Sequence, residues 1–568
     1  YTAKKITKNF FGYQTWVKGM ISYDTYSSTV LNGTKREISY YATVDYDNDV
    51  LTYTPHNTNA TQLSLSRSYS SNYRINAQAS LNYDRKFGRH AVTGMVLFQR
   101  DYWESESAEI PYNIVGLSGR ATYSYDDRYL AEVNIGYNGS EQFAPTKRFG
   151  FFPAGSIGWV TSNEDFLKGN NYLTHMKLRF SVGKVGNDQI GGSRFLYQDN
   201  ITLNGASNVG GLGSFSVNEG LLGNPNITWE LATKYNAGVD LEFFKSLNMS
   251  IDYYRENRSQ ILISRQSIPD FQGVPSGNIP KANMGVVHNQ GVDLEISYNK
   301  QVNSDFSFFV KGNFGFNKNK VIEFDEPQRT EDYVYRYRTE GFSLGQCWGY
   351  AIDWNSPGKG YFTSEEEIAN YASYDFGTPR KGDFVYIDQN GDGVINDRDQ
   401  VPIGYSSSIP GITYGFTVGA EYGGIDINVL FSGVGRYSMY YNGQGVFENV
   451  RNGTYYDWTW NAWTEERWQN GDEITYPALS TRTSTSHQAN DFFIQNRSFL
   501  RLKNLEIGYT LPAHWLRSLG VSKFRVYVGG QNLFVWDALR STHLDPEQSN
   551  PYGYPITKNI NIGCNINF

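Results

Sequence analysis

Two cysteines in 568 residues are too few for a disulfide framework, and Cys347 and Cys564 have neither CxxC spacing nor a neighbouring histidine cluster. They read as small apolar residues in strand-like contexts, with a single disulfide left open. No run approaches the ~18–20 apolar residues of a transmembrane helix. That excludes a helical membrane bundle but not a barrel, whose strands hide their lipid face by alternation. The seven histidines (His56, His90, His175, His288, His487, His514 and His543) are scattered, without HExxH spacing or close pairing. GGSRF (Gly191–Phe195) and VGGQN (Val528–Asn532) form neither a GxSxG elbow nor a phosphate loop. The reading is therefore of a protein without a catalytic site. Fifty basic residues against 57 acidic ones give a net charge of −7, which offers no surface for nucleic acid. The opening YTAKKITKNF also lacks Met and a signal peptide, so the expectation is a processed or truncated chain.

Tyr (44), Phe (34), Trp (12) and Gly (57) are abundant. Mean hydropathy is only −0.52. Such aromatics fit the girdles of an outer-membrane barrel, and they also fit the strands of a large soluble β protein. The last ten residues, NINIGCNINF, frame the choice. Ile560, Ile562, Cys564, Ile566 and Phe568 fall on one face, and Asn559, Asn561, Gly563, Asn565 and Asn567 on the other. Ile560, Ile562, Ile566 and Phe568 are thus expected to form a membrane-inserted strand.

About fifteen segments alternate in this way, from Tyr73–Tyr83 to the final strand. Phe306, Phe308, Val310, Phe314 and Phe316 share a face opposite Ser307, Lys311, Asn313 and Asn317. The polar face is too small and too polar for a packed core, and suits a wet lumen. Connections alternate as well. Asp126–Arg128, Lys245–Ser246, Lys300–Asp305 and Gly423–Gly424 are tight, whereas Gly186–Trp229, Glu256–Asn283, Asn317–Gly411, Gly433–Ser498 and Val535–Lys558 are long. Outer-membrane barrels keep short turns on the periplasmic side and long loops outside. The expected fold is all-β, a large antiparallel transmembrane β-barrel with a periplasmic carboxyl terminus and extracellular long loops. Asn163–Asn171 and Pro512–Gly520 are expected to be short periplasmic helices, the second presenting Trp515, Leu516 and Leu519 on one face.

Five blocks now point to a family. GYNGSEQFAPTKRFGFFPAGSIGW (Gly136–Trp159), KLRFSVGKVGNDQIGG (Lys177–Gly192), NPNITWELATKYNAGVDLEFF (Asn224–Phe244), YIDQNGDGVINDRDQVPIGY (Tyr386–Tyr405) and RVYVGGQNLFVW (Arg525–Trp536) resemble the SusC/RagA-type TonB-dependent transporters of Bacteroidetes outer membranes. Their order and spacing follow the family along essentially the whole chain. The resemblance implies a barrel of about 22 strands that imports an oligosaccharide or peptide together with a SusD-like surface lipoprotein, energised by TonB. It also implies an amino-terminal plug, which this chain does not show. The expectation is a carboxyl-terminal barrel portion whose plug and first strands lie on a companion chain or segment, because an open sheet edge in lipid is prohibitively costly. A passive porin or structural barrel is the alternative, and a secreted carbohydrate-binding β protein a further one.

Two loops carry local motifs. In the long loop 317–411, Asp388, Asn390, Asp392, Asn396 and Asp399 occupy positions 1, 3, 5, 9 and 12, with Gly393 at 6 and the Val394 carbonyl at 7. This is the ligand pattern of a Ca2+ loop, with Asp in place of the usual Glu at 12. An Asn/Asp/Gly turn cluster needing no metal is the competing reading. The loop 433–498 concentrates Tyr455, Tyr456, Trp458, Trp460, Trp463 and Trp468. These rings either pack the loop or, as expected here for Trp458, Trp460 and Trp463, contact substrate or the lipoprotein partner.

Overall fold

The computed structural model describes residues 6–9, 15–45, 47–48, 50–105, 110–189, 194–209, 212–327, 338–450, 457–516 and 520–568. The chain divides into two units, Tyr1–Tyr123 with Asn134–Phe151, and Ser124–Val133 with Phe152–Phe568. The first unit holds β1 (Ile6–Asn9), β2 (Thr15–Thr34), β3 (Ser64–Phe87), β4 (His90–Ser105) and most of β5 (Tyr112–Tyr125). It also takes the end of β6 (Tyr129–Ser140) and the start of β7 (Phe149–Val160). β2 pairs antiparallel with β1 and β3, and β3 with β4. β3 is 24 residues long, whereas about 9–11 residues cross a bilayer. β2 and β3 therefore overshoot any membrane, and the hairpin Ser39–Asp45/Val50–Asn57 lies between them in the chain.

The second unit continues from β7 into β8 (Leu173–Asn187), β9 (Glu230–Phe243), β10 (Leu247–Ile263), β11 (Ala282–Gln301) and β12 (Phe306–Glu323). β13 (Ile412–Tyr422), β14 (Ile425–Gly435), β15 (Phe499–Thr510), β16 (Lys523–Asp537) and β17 (Asn559–Asn567) follow. Each strand pairs antiparallel with the next. Register carries the alternation from strand to strand. Phe180, Ala237, Tyr253, Val292, Phe316 and Ile412 stand opposite one another in turn. So do Tyr298, Val310, Val418, Val429, Leu505, Gly530 and Ile560. Large apolar side chains on this face, among them Phe180, Tyr253, Phe314, Val418, Ile507 and Val528, remain exposed. On the other face Lys177, Asp240, Ser250, Glu295, Asn313, Gly415, Ser432 and Arg501 line up in the same way.

The connections keep the expected parity. Residues 88–89, 126–128, 244–246, 302–305 and 423–424 are tight, and 188–229, 264–281, 324–411, 436–498 and 538–558 are long. Phe244 and Lys245 both have φ of 54°, and Gly423 and Gly424 have 58° and 89°. Left-handed pairs of this kind match the right-handed twist of the strands they join. The strands outrun the alternating segments visible in sequence: β12 extends to Glu323 and β14 to Gly435, so the two largest loops begin later than 317 and 433.

Both expected turn helices differ from expectation. Asn163–Asn171 is not a helix: a 3-10 turn at Thr161–Asn163 leads into turns, where Asn170 Oδ1 accepts the Tyr172 and Leu173 N–H groups and breaks the helical pattern. Ala513–Leu516 is helical, but Leu516 is buried while Trp515 is exposed, so they do not share a face. Leu519 lies outside the described residues.

The exposed apolar face is the testable element. Val528→Arg, mid-strand on β16 between Ile507 and Ile562, is expected to cost roughly 2–4 kcal/mol of folded, membrane-inserted protein. Gly529→Ser on the polar face, where an added Cβ meets nothing closer than 3.9 Å, is expected to be silent. Heat-modifiable mobility of the membrane fraction reads both; equal behaviour of the two variants would contradict the assignment of faces.

Candidate functional site

The polar face of the second unit is built around two arginines. Arg179 on β8 donates from Nε and Nη2 to Asp240 on β9, both at 2.8 Å, and from Nη1 and Nη2 to Asp252 on β10 at 3.1 and 2.9 Å. Ser250 accepts from the same guanidinium at 3.0 Å. Gly238 opposite Arg179 leaves the room: a Cβ there would meet Asp252 Oδ1 at 2.4 Å. Arg525 on β16 likewise spans Asp426 on β14 and Glu506 on β15. Planar forks of this kind fix carboxylates bidentately. A cavity of about 600 Å3 opens on this face, bounded by Glu242, Glu295, Lys311 and Asn313 among others. The arrangement offers a polar, charge-studded wall.

Beyond the strand ends the long loops fold together. Tyr350, Phe362, Tyr374, Phe384, Tyr386 and Ile395 from residues 324–411 share one core with Tyr441, Trp458, Trp463, Tyr476, Phe492 and Phe493 from 436–498 and with Leu544 from 538–558. Several of its polar groups bond across the loops, while the Tyr441 hydroxyl and the Trp463 indole N–H are buried without a hydrogen-bond partner among the described residues. The Tyr386 hydroxyl donates to the Thr485 carbonyl at 3.0 Å and accepts from Asn490 Nδ2 at 3.0 Å. The Phe384 N–H donates to Ser486 Oγ at 3.0 Å. At the centre, His487 accepts the Ser484 N–H at Nδ1, which leaves the proton on Nε2 to bond Glu448 at 3.0 Å. Glu448 also accepts from the Tyr476 hydroxyl and the Ser480 N–H. Burial alone pushes its carboxyl up, but the contact with His487 and the backbone N–H bonds outweigh this and hold it below the usual range.

The residues singled out in sequence sort as follows. Trp458 and Trp463 are 4% and 7% exposed and belong to the loop core, Trp458 also bordering a loop cavity, whereas Trp460 is 82% exposed. Tyr455 and Tyr456 lie outside the described residues. In the 388–399 loop the carboxylates turn onto backbone N–H groups. Asp388 accepts from Gly391 and Gly393, Asn390 from Asp392, Asp392 from Val394, Asn396 from Arg398, and Asp399 from Gln389 and Asn396. Gly393 sits at φ 81°, the sharp turn its position requires. Asp399 is buried, which pushes its carboxyl up against those N–H bonds, and Asp388 and Asp392 push the same way. Among the described residues no three acidic, His or Cys side chains stand ready around one metal position. The final strand pairs with Lys523–Gln531, and its Ile560, Ile562, Ile566 and Phe568 are exposed, as are most residues of its other face. Both cysteines are free thiols, Cys347 buried and Cys564 exposed.

Sequence reasoning missed the arginine clamps and the shared loop core. Parity within KLRFSVG and AGVDLEF places Arg179 and Asp240 on the inward face, a signal available to inspection. Which distant loops pack together is not encoded in any local pattern.

Three comparisons bear on this arrangement. Residues 5–388 match the family model described as TonB dependent receptor-like, beta-barrel. A TonB-dependent receptor of Formosa agariphila is 28% identical over 514 residues, covering 84% of this chain and 47% of the relative. The TonB-dependent receptor SusC of Bacteroides thetaiotaomicron is 27% identical over 475 residues, covering 80% and 44% respectively. The chain thus spans about half the length of the curated relatives it matches. The solved RagAB peptide transporter superposes with a TM-score of 0.73 at 19% identity, over 97% of this chain and 60% of that one, a likeness of fold. The relatives carry receptor and transporter names rather than enzyme names.

The buried pair in the loop core sets a pH dependence. A depressed carboxylate contributes stability that is present above the unfolded value, about 4.3, and lost as pH falls through the folded one. Hydrogen exchange across 437–493 is expected to accelerate below about pH 4 while the sheet stays protected. Glu448→Ala, which strips the buried Tyr476 and His487 of a shared acceptor, is expected to destabilise the loop core by roughly 3 kcal/mol at neutral pH. Unchanged exchange in that variant would refute the role given to the pair.

Proposed function

We propose that this chain, which belongs to the TonB-dependent receptor-like β-barrel family, forms the wall of a SusC-like importer for oligosaccharides or peptides. Barrels of this family lie in the outer membrane. The observation that carries the reading is the two-faced register: an exposed apolar face and a charged, hydrated one maintained strand after strand, with every large loop at the same end. In this reading the apolar face meets lipid, the polar face lines the transport path, and the loop core stands outside the cell with the carboxyl terminus periplasmic. Substrate passes when a plug is remodelled by TonB, and a SusD-like lipoprotein covers the loops. A passive porin is less well favoured, because a large ordered loop domain serves a lid better than an open pore.

The Ca2+ reading of Asp388–Asp399 belongs to this proposal. Its support is a donor set made only of oxygens, the Gly393 turn, and three like charges of which Asp399 is buried. Each carboxylate oxygen that accepts one N–H keeps a second lone pair. Asp388, Asn390, Asp392, Asn396 and Asp399, with the Val394 carbonyl, would hold the ion, which would supply the charge that the cluster lacks and stiffen the loop.

Two measurements test these points. Mass spectrometry of the protein purified natively from outer membranes is expected to find a plug-bearing segment and a lipoprotein with it; a lone chain soluble without detergent would end the importer reading. Ca2+ at a hundredfold excess over its Kd is expected to stabilise the loop by about 2.7 kcal/mol, an effect removed by Asp388→Asn. No difference in thermal unfolding between Ca2+ and chelator would leave the loop as a metal-free turn cluster.

A further inference from the structure

The loop domain contains a cavity of about 830 Å3 separate from the polar wall. Arg540 lies in it, its guanidinium 4.5 Å from the centroid of the Phe492 ring. Its backbone N–H donates to Gln495 Oε1, but among the described residues its side chain makes no ion pair. Burial lowers its pKa, though an arginine stays charged with five N–H donors to satisfy. The Tyr361 hydroxyl, pushed up to about 12 by burial, faces the same charge. Beside them stands Trp354. Its Nε1 donates to Asp491 Oδ2 at 3.1 Å, its ring meets Tyr361 edge-on at 6.4 Å, and its exposed surface faces the cavity. The indole is thereby held as a fixed platform. Asp472 and Glu473, exposed at the rim, add acceptors without donors.

We propose that this cavity is a second ligand site that takes an anionic sugar: its carboxylate or sulfate on Arg540, a ring face on Trp354, and its hydroxyls on Asp472 and Glu473. Among the described residues no carboxylate is in ion-pair contact with the guanidinium, and Asp491 acts on it only from further off, so one acidic group fits there; planar guanidinium recognition suits carboxylate and sulfate alike. A fixed indole suits the C–H face of a ring. Two rim carboxylates call for hydroxyl donors and repel further acids, so a polyacidic peptide fits less well than a sugar with a single charge. The volume falls within the usual range of small-molecule sites, about 300–1,000 Å3. The proposal rests on the importer reading and narrows it, placing a first capture point on the outer loops.

Calorimetric titration of the detergent-purified protein tests it with four probes. These are a glucuronate-containing disaccharide, its carboxyl-reduced neutral form, a sulfated disaccharide and tetraglutamate. Both anionic sugars are expected to bind, and the stronger names the preferred anion. The neutral form is expected to bind at least about tenfold more weakly, and Arg540→Gln to weaken the anionic sugars by a similar factor. Trp354→Ala is expected to weaken all three sugars, with loop-domain hydrogen exchange unchanged in Arg540→Gln as the control for folding. Equal binding of neutral and anionic sugars, indifference to Arg540→Gln, or preference for tetraglutamate would overturn the proposal. Binding is read without transport, so a failure of import in cells would count against the importer reading alone.

Discussion

Everything in the second unit depends on one constraint, the period of two along a strand. A slip of one residue in any pairing would carry every apolar side chain of that strand to the polar face. Eleven successive strands hold the alternation, and the places where pairing shifts, at Leu173/His175, Arg258/Ile261, Ile261/Leu262, Val286/Val287, Leu430/Phe431 and Leu502/Asn504, are local irregularities. The tight turns contribute by leaving no slack. A two-residue connection such as Gly423–Gly424 admits one register, and a Cβ on Gly424 would press on the Thr510 carbonyl at 2.8 Å.

The polar face solves a different problem. Its charges are paired across strands instead of being buried in a packed core. Arg179 and Arg525 each gather two carboxylates from neighbouring strands and so tie three strands together while keeping the face wet. A glycine lies against each guanidinium, Gly238 paired with Arg179 and Gly508 paired with Asp426 beneath the Arg525 fork, and keeps the fork flat against the wall. The loop domain takes the opposite course. There, aromatic rings are the main core material, and tyrosine hydroxyls such as those of Tyr374, Tyr386 and Tyr476 meet backbone carbonyls, so that long irregular segments pack against one another.

The contrast explains what could be read in advance. Strand existence was legible from Tyr73 onward, because alternation is local and repeated; β1 and β2 lacked clean alternation, and strand ends outside the apolar band carry none. Loop parity was legible because it needs only lengths. The fate of Trp458, Trp460 and Trp463 was not, since three indoles within six positions look alike in sequence and only the tertiary partners Phe492, Phe493 and Tyr476 decide which are covered. The Asp/Asn/Gly loop was legible as a motif, and its turn geometry is present, but donor type alone does not say whether an N–H or a cation takes the second lone pair.

The loop domain's contacts join residues far apart in the chain: Phe384 with Ser486, 102 positions away, and Trp354 with Asp491, 137 away. Loop closure over such distances is entropically slow, and each of these segments is interrupted by β13 and β14. The strands must therefore be paired before the domain's halves can meet. Assembly has an order built into its topology, with the sheet first and the loop domain last. During that interval the aromatic core is open to water, so the vulnerable stage in the life of this protein is the one spent with its loops still apart.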